Sequence, residues 1–416
     1  MSGFRQFLRL LWLTLFHSRG TFARPTLKRA RILSILAPLL LLLQVSHWVG
    51  FLLDEIFFRK YRAVKVRAPL FILGLPRSGT TFLHRMLARD TENYTTMQLW
   101  EMLLAPSITE RKLLISLAAL DRWFGGFGLR FLRSLDRRVF AGGNDIHRIS
   151  LFQPEEDEVL LLPLFSSLFL LHLFPFPQAL WHLVHFDSTT PPADKRRIMS
   201  FYRRCVQRHL YVHGPDKQFL SKNPAFTSKI DALDEFFPDA KVICNVRDPF
   251  RAIPSLLSYM HYTSGCFDND FRGHSFRDRV LEIADHWYRY PMERLGHWPD
   301  NRHAVVRYDD LIADPYATTV DLYTRLSLEI SPAFEECLRE ELAKSRTYRS
   351  AHTYSLSQYG LTPTDILERF QHVITYYGLA PDYLEAIPPR AGEDYAVPAA
   401  EPSIDRLGVG AAALES

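Results

Sequence analysis

The longest apolar run in the chain, Ile32 to Leu53, holds 22 positions whose only polar members are Ser34, Gln44, Ser46 and His47. That is long enough to cross a hydrocarbon core of roughly 30 Å. Before it, Phe4 to Phe16 interleaves Arg5 and Arg9 with Leu8, Leu11, Trp12 and Leu15, the composition of a helix lying in a membrane interface. Beyond the arm the pattern changes. Pro69 to Leu73 is short, apolar and bounded by Pro and Gly, which predicts a buried parallel strand. Phe82, Leu83, Met86 and Leu87 then recur at helical spacing, with Ser78 or Thr80 placed to cap the helix start. Val242 to Val246 predicts another strand, Lys222 closes a further short one, and His303 to Leu311 reads as a strand leading into a helix. Strands alternating with helices predict an α/β fold with a central parallel β-sheet flanked by helices. From about Pro388, Pro, Ala, Gly and charges replace any periodicity and predict a loose tail. The expected division is an arm over 1–67, a main domain over 68–387 and a tail over 388–416.

Composition fits a large globular core: 47% of the 416 residues are hydrophobic. The net charge of +4 conceals an asymmetry, because residues 1–67 carry twelve Lys/Arg against two Asp/Glu, which is +10 and leaves −6 for the remainder. The basic excess belongs to the arm and predicts an anionic membrane surface as partner, not nucleic acid. Basic residues lie on both sides of the apolar run, at Arg24, Lys28, Arg29 and Arg31 and again at Arg59, Lys60, Arg62, Lys65 and Arg67, so the positive-inside rule assigns no orientation. We expect the arm to lie on the membrane rather than span it, with the main domain cytoplasmic. The alternative is a buried helix packed on that domain, which Pro38, Gln44 and His47 keep open. Four scattered cysteines, at 205, 244, 266 and 337, give no zinc or CxxC spacing, and no metal is expected.

The chemistry starts in the loop from Gly74 to Thr81, reading Gly-Leu-Pro-Arg-Ser-Gly-Thr-Thr. Strand, glycine-bearing loop and helix present backbone N–H groups and the positive end of a helix dipole to an anion. Gly74 and Gly79 have the spacing of a Walker A loop, yet Thr80 stands at the lysine position, which argues against an ordinary nucleotide triphosphatase. Arg77 can supply the missing cation from within the loop. The segment resembles the PRSGTT-type loop of the sulfotransferase superfamily. That resemblance implies a P-loop-like sulfotransferase fold, and it implies that Arg77, Ser78, Gly79, Thr80 and Thr81 contact the phosphosulfate end of 3′-phosphoadenosine 5′-phosphosulfate.

A second stretch resembles the same family: Arg247 follows a strand, and Ser255 stands eight residues later near a helix start. The resemblance implies that both bind the donor's 3′-phosphate. Ligands of open parallel sheets bind beyond the strand C-termini, so both motifs face one crevice. Alone, Arg247 reads equally as an ion pair with Asp248 or Asp309. Lys222 resembles the family lysine at the phosphosulfate, where an ammonium stabilises charge developing on the leaving group. Arg349, in a segment with Ser350 and His352, resembles a donor-proximal stretch of the bacterial-type branch.

An acceptor hydroxyl must lose a proton. Glu101 stands at a distance from the loop similar to that of the catalytic glutamate in the tyrosylprotein branch, and His147 is the second candidate, since many relatives use histidine. Pro154 to Glu158 reads mainly as a helix N-terminus carrying acids. The Leu- and Phe-rich stretch that follows, to Phe186, reads as core or as a greasy wall for a lipophilic acceptor. The expected function is sulfuryl transfer to a hydroxyl acceptor, with a P-loop kinase or a non-catalytic membrane-anchored nucleotide-binding protein as alternatives.

Overall fold

The structure, a computed structural model, describes residues 3–140, 149–271, 273–345, 352–379 and 397–399. Five strands form a parallel sheet: β1 (Leu70–Gly74), β2 (Tyr94–Thr95), β3 (Gln218–Lys222), β4 (Lys241–Val246) and β5 (His303–Arg307), in the order β2-β3-β1-β4-β5. The strands are apolar on both faces because both faces are covered. Along β1 the consequence is alternation between two cores: Phe71 and Leu73 point into one, Leu70 and Ile72 into the other. The fold is thus α/β with a central parallel sheet between helical layers. A small antiparallel pair, β6 (His352–Tyr354) with β7 (Val397–Ala399), stands apart.

Connections on opposite sides of β1 run in opposite directions across the sheet, to β3 on one side and β4 on the other. That is the switch point at which open parallel sheets leave a crevice beyond their C-terminal ends. Gly74, Lys222 and Val246 are the terminal residues of the three strands that meet there.

The arm forms two helices, α1 (Gly3–Phe16) and α2 (Leu27–Phe57). Both are packed into the main body. Phe7 stacks on Phe165 at 4.7 Å between ring centroids, Leu10 is fully buried, and Gln6 donates to the carbonyl of Ala179 at 2.9 Å. After the loop come α3 (Thr80–Leu87), the short α4 (Leu99–Leu103), and a hairpin of α5 (Ile108–Trp123) and α6 (Phe127–Phe140). Of the Leu/Phe-rich stretch, Phe174, Phe176, Leu180, Leu183 and Phe186 are fully buried, so that segment is chiefly core. Cys244 is a buried core residue, and no cysteine among the described residues is paired.

Candidate active site

Gly74 ends β1 at φ +122°, where an added Cβ would lie 2.2 Å from the carbonyl oxygen of Asn245. Only glycine lets the chain turn this close to β4. Arg77 follows at φ +74°, an uncommon conformation for a residue with a side chain. Gly79, at φ +83°, is the N-cap of α3, and a Cβ on it would lie 2.8 Å from the ring of Tyr308. No side chain caps α3. The Ser78 hydroxyl instead donates to the carbonyl of Leu75, tying the loop to itself. This corrects the expectation of a Ser78 or Thr80 cap: the first N–H groups of α3 are left to meet an anion.

Lys222 closes β3 with a fully buried side chain. Its ammonium donates to Thr81 Oγ1 at 3.2 Å and to Glu156 Oε1 at 3.1 Å, and Glu155 Oε2 lies 3.5 Å away. Arg85, from α3, pairs with Glu155 at 2.8 Å, so of the two glutamates Glu155 is the one tied down by an arginine. The Glu156 side chain keeps 22% of its surface exposed. Burial pushes the Glu156 carboxyl above its ordinary range; Lys222 opposes this and Glu155 adds to it. His84, also on α3, meets Thr96 Oγ1 at 2.7 Å. Burial first, and Lys222 second, hold its pKa well below the usual imidazole value, so the ring is neutral.

Pro154 to Glu158 opens a 3-10 helix and does more besides. Glu156 is the N-cap of the 3-10 helix Asp157–Leu164 but makes no side-chain cap bond. Asp157 accepts from Tyr202 at 2.6 Å and from Asn223 at 2.8 Å, and burial pushes its pKa up to about 6. Glu158 accepts from the N–H of Leu168 and lies 3.5 Å from the buried Lys229. The acids form a floor under Lys222 and Asn223. Their signal in the sequence is number: one acid suffices for a helix start, and four consecutive ones exceed it.

Arg247, directly after β4, is 1% exposed. Its Nη1 donates to the carbonyl of Arg77 at 2.8 Å, and its guanidinium lies 4.1 Å from the centroid of Tyr308. Its Nε and Nη2 are buried without a hydrogen-bond partner among the described residues. No ion pair joins it to Asp248 or Asp309 there; Arg251 meets Asp309 instead, at 3.8 Å. Arg77 Nε donates to Ser255 Oγ at 3.1 Å. Ser255 sits in the second turn of the helix Pro249–Phe267 rather than at its start, which Asp248 caps. Buried donors with no acceptor cost free energy unless a ligand supplies one, so these groups suit a phosphate.

Glu101 lies in a different cluster. Its Oε2 accepts from the N–H of Gln98 in the capping box of α4. Its Oε1 is 2.6 Å from His213 Nε2 and 3.3 Å from Arg111 Nε. Burial raises its pKa, but Arg111, with His209 and His213, outweighs burial and holds the carboxyl well below the ordinary range. A carboxylate so held is a weak proton acceptor, and among the described residues none of its bonds reaches the loop, Lys222 or Arg247. Glu101, His209 and His213 also bring ligand atoms within 4.8 Å of one another. Arg111 also lies 3.2 Å from His209 Nδ1. His147 and Arg349 lie outside the described residues.

Residues 69–332 match the sulfotransferase family. An omega-hydroxy-beta-dihydromenaquinone-9 sulfotransferase, Stf3, of Mycobacterium bovis is 28% identical over 318 residues, 74% of this chain and 75% of that protein. The crystal structure of sulfotransferase STF1 from Mycobacterium tuberculosis superposes with a TM-score of 0.64 at 21% identity, covering 88% of this chain and 92% of that one. That of STF9 from Mycobacterium avium gives 0.62 at 20% identity, over 80% and 82%.

Proposed function

Since the chain belongs to the sulfotransferase family, we propose that it moves a sulfuryl group from 3′-phosphoadenosine 5′-phosphosulfate to the hydroxyl of a lipophilic acceptor. The observation that carries this reading is Arg247: two of its buried nitrogen atoms have no hydrogen-bond partner among the described residues, and a third bonds the backbone of the loop. On this reading Arg247, with Ser255, receives the 3′-phosphate that distinguishes the donor from ATP. Arg77, Ser78, Gly79, Thr80, Thr81 and the N-terminus of α3 receive the phosphosulfate end. Arg349 belongs to the same proposal, and His147 remains a candidate for contact with the acceptor.

Glu156 takes the base role in place of Glu101. Its carboxylate accepts the acceptor's proton as the new oxygen–sulfur bond forms and the bond from sulfur to the bridging phosphate oxygen breaks. Lys222, 3.1 Å from Glu156 and 3.2 Å from Thr81, sits between base and loop and meets the charge left on the departing phosphate. The relative named above acts on an ω-hydroxylated menaquinone derivative, a lipid-like alcohol, and the apolar arm suits an acceptor of that class. We place the protein at a membrane, with its catalytic body on the cytoplasmic side.

Calorimetry tests the donor assignment. The bisphosphate product 3′-phosphoadenosine 5′-phosphate should bind at least about tenfold more tightly than ADP or ATP, and Arg247→Ala should erase that preference. A preference for ATP, or full affinity in Arg247→Ala, would overturn it.

A further inference from the structure

Helix α2 turns its most apolar face outward. Its buried positions are Arg29, Ala37, Gln44, His47, Gly50, Phe51 and Asp54, so four of the seven are polar. Ile35, Leu42, Val49 and Ile56, spaced seven apart and therefore on one face, are 66%, 66%, 51% and 61% exposed. At 3.6 residues per turn the two sets lie roughly opposite each other. A helix on the surface of a water-soluble domain has the reverse arrangement. Apolar residues outward, over an inward side that holds the helix's buried polar groups, is the arrangement that suits lipid as the outer solvent.

Both ends of α2 are fastened to the same catalytic body. Near the start, Arg29 donates to the carbonyl of Leu173 at 2.8 Å and to Asn269. Near the end, Asp54 accepts from the N–H of Ile108 and of Thr109 and pairs with Arg208 at 2.8 Å. At 1.5 Å per residue these anchors stand about 38 Å apart, more than the hydrocarbon thickness. A helix crossing the bilayer could not keep both anchors on one side of it.

The hairpin α5–α6 begins where α2 is fastened. His47 meets Glu110 at 2.8 Å, and Gly50 is so close to Ser107 that a Cβ would lie 2.3 Å from its hydroxyl oxygen. From there Leu113, Leu117 and Leu120 face outward on α5, Trp123 and Phe124 at the tip are 81% and 67% exposed, and Phe127 and Phe131 continue the stripe on α6 at 72% and 67%. Arg122, Arg130, Arg137 and Arg138 are exposed around this stripe. Asp136, the acid of α6, is buried and accepts from Ser150 and Leu151. An apolar stripe edged by arginines complements anionic headgroups over acyl chains. A two-fold contact with a second copy would set these arginines against one another.

We propose that the protein is monotopic: α2 lies in the plane of the bilayer, and the tip of the α5–α6 hairpin enters the same leaflet beside it, against anionic phospholipid. This rests on the membrane location proposed above and is independent of the donor assignment.

The test is sedimentation of the full chain with phosphatidylcholine vesicles, with and without phosphatidylglycerol. The parent should bind the anionic vesicles. The quadruple variant Trp123→Ser, Phe124→Ser, Phe127→Ser, Phe131→Ser should bind at least about tenfold more weakly while melting at the parent's temperature, since these side chains make little of the core. Parent-like binding by the variant would overturn the hairpin's part and leave membrane association standing. No binding by the parent to either vesicle would overturn membrane association itself. A lipid-free dimer by light scattering that dissociates in the quadruple variant, without vesicle binding, would assign the face to a second copy and overturn the proposal.

Depth distinguishes lying from crossing. In a Cys266→Ser, Cys337→Ser background, fluorophores on Ile35→Cys, Leu42→Cys, Val49→Cys and Ile56→Cys should be quenched alike by shallow lipid-borne quenchers. A depth profile with position 42 deepest and positions 35 and 56 shallow would mean that α2 spans, and would overturn the in-plane placement.

Discussion

Glu156 is a partly exposed acid 3.1 Å from the buried Lys222, and their chemistry depends on which of them faces the crevice with its charge available. For Glu156 to accept a proton it must be ionised. Its pKa is raised by burial, so activity should be present above that raised value and lost as pH falls through it, at higher pH than for an ordinary glutamate. Glu156→Gln should lower kcat by about a hundredfold or more and remove this acid limb from the rate profile; a variant keeping both rate and limb would return the base to another residue. Gly79→Ala is expected to act through geometry. At φ +83°, with Tyr308 at 2.8 Å from the added methyl, the variant should lose about 1–2 kcal/mol of stability, read by chemical denaturation. Because Tyr308 backs Arg247, the loss of affinity for 3′-phosphoadenosine 5′-phosphate should exceed what so small a destabilisation explains.

At the scale of elements, the joint between α2 and α5 is polar and buried. Asp54 serves two backbone donors of α5 and the guanidinium of Arg208, which itself rests on Tyr61 at 4.2 Å. Asp54→Ala leaves those groups buried without their acceptor and should cost about 3 kcal/mol in denaturant unfolding, whereas Ser107→Ala, which removes one half of a capping box, should cost about 1 kcal/mol. Asp54 also shows where sequence reading stops. The strands were legible because a buried parallel strand needs a short apolar run whatever surrounds it, and the places of Lys222 and Arg247 at strand ends and of Arg77 in the glycine-bearing loop follow from those strands. Glu101 and Glu156 were not separable on the same grounds. Both are glutamates near a helix start, and what distinguishes them is the company brought by distant segments: Arg111, His209 and His213 for one, Lys222 for the other. The Ser78 cap failed for a related reason, since its hydroxyl found the Leu75 carbonyl within the loop before any N–H of the helix.

At the scale of the whole molecule, the arm and the catalytic body share one core, to which Phe7, Leu10 and Phe51 belong with the strand residues Phe71 and Leu73. Removing residues 1–67 should therefore abolish cooperative melting of the remainder instead of releasing a soluble enzyme. A truncated chain that melts at the parent's temperature would show the arm to be an appendage.

The anchors of α2 bear on the order in which the chain is made. Arg208 lies 154 residues after Asp54, and Asn269 lies 240 after Arg29. At synthesis rates of roughly 5–20 residues per second, those partners leave the ribosome roughly ten to fifty seconds after the helix does. For that interval the polar side of α2 has no protein to rest on, while its apolar side is already complete. If α2 lies in a bilayer as proposed above, a nascent chain in that state would reach the membrane before it reaches its own fold, and the catalytic body would then assemble around a helix already in place.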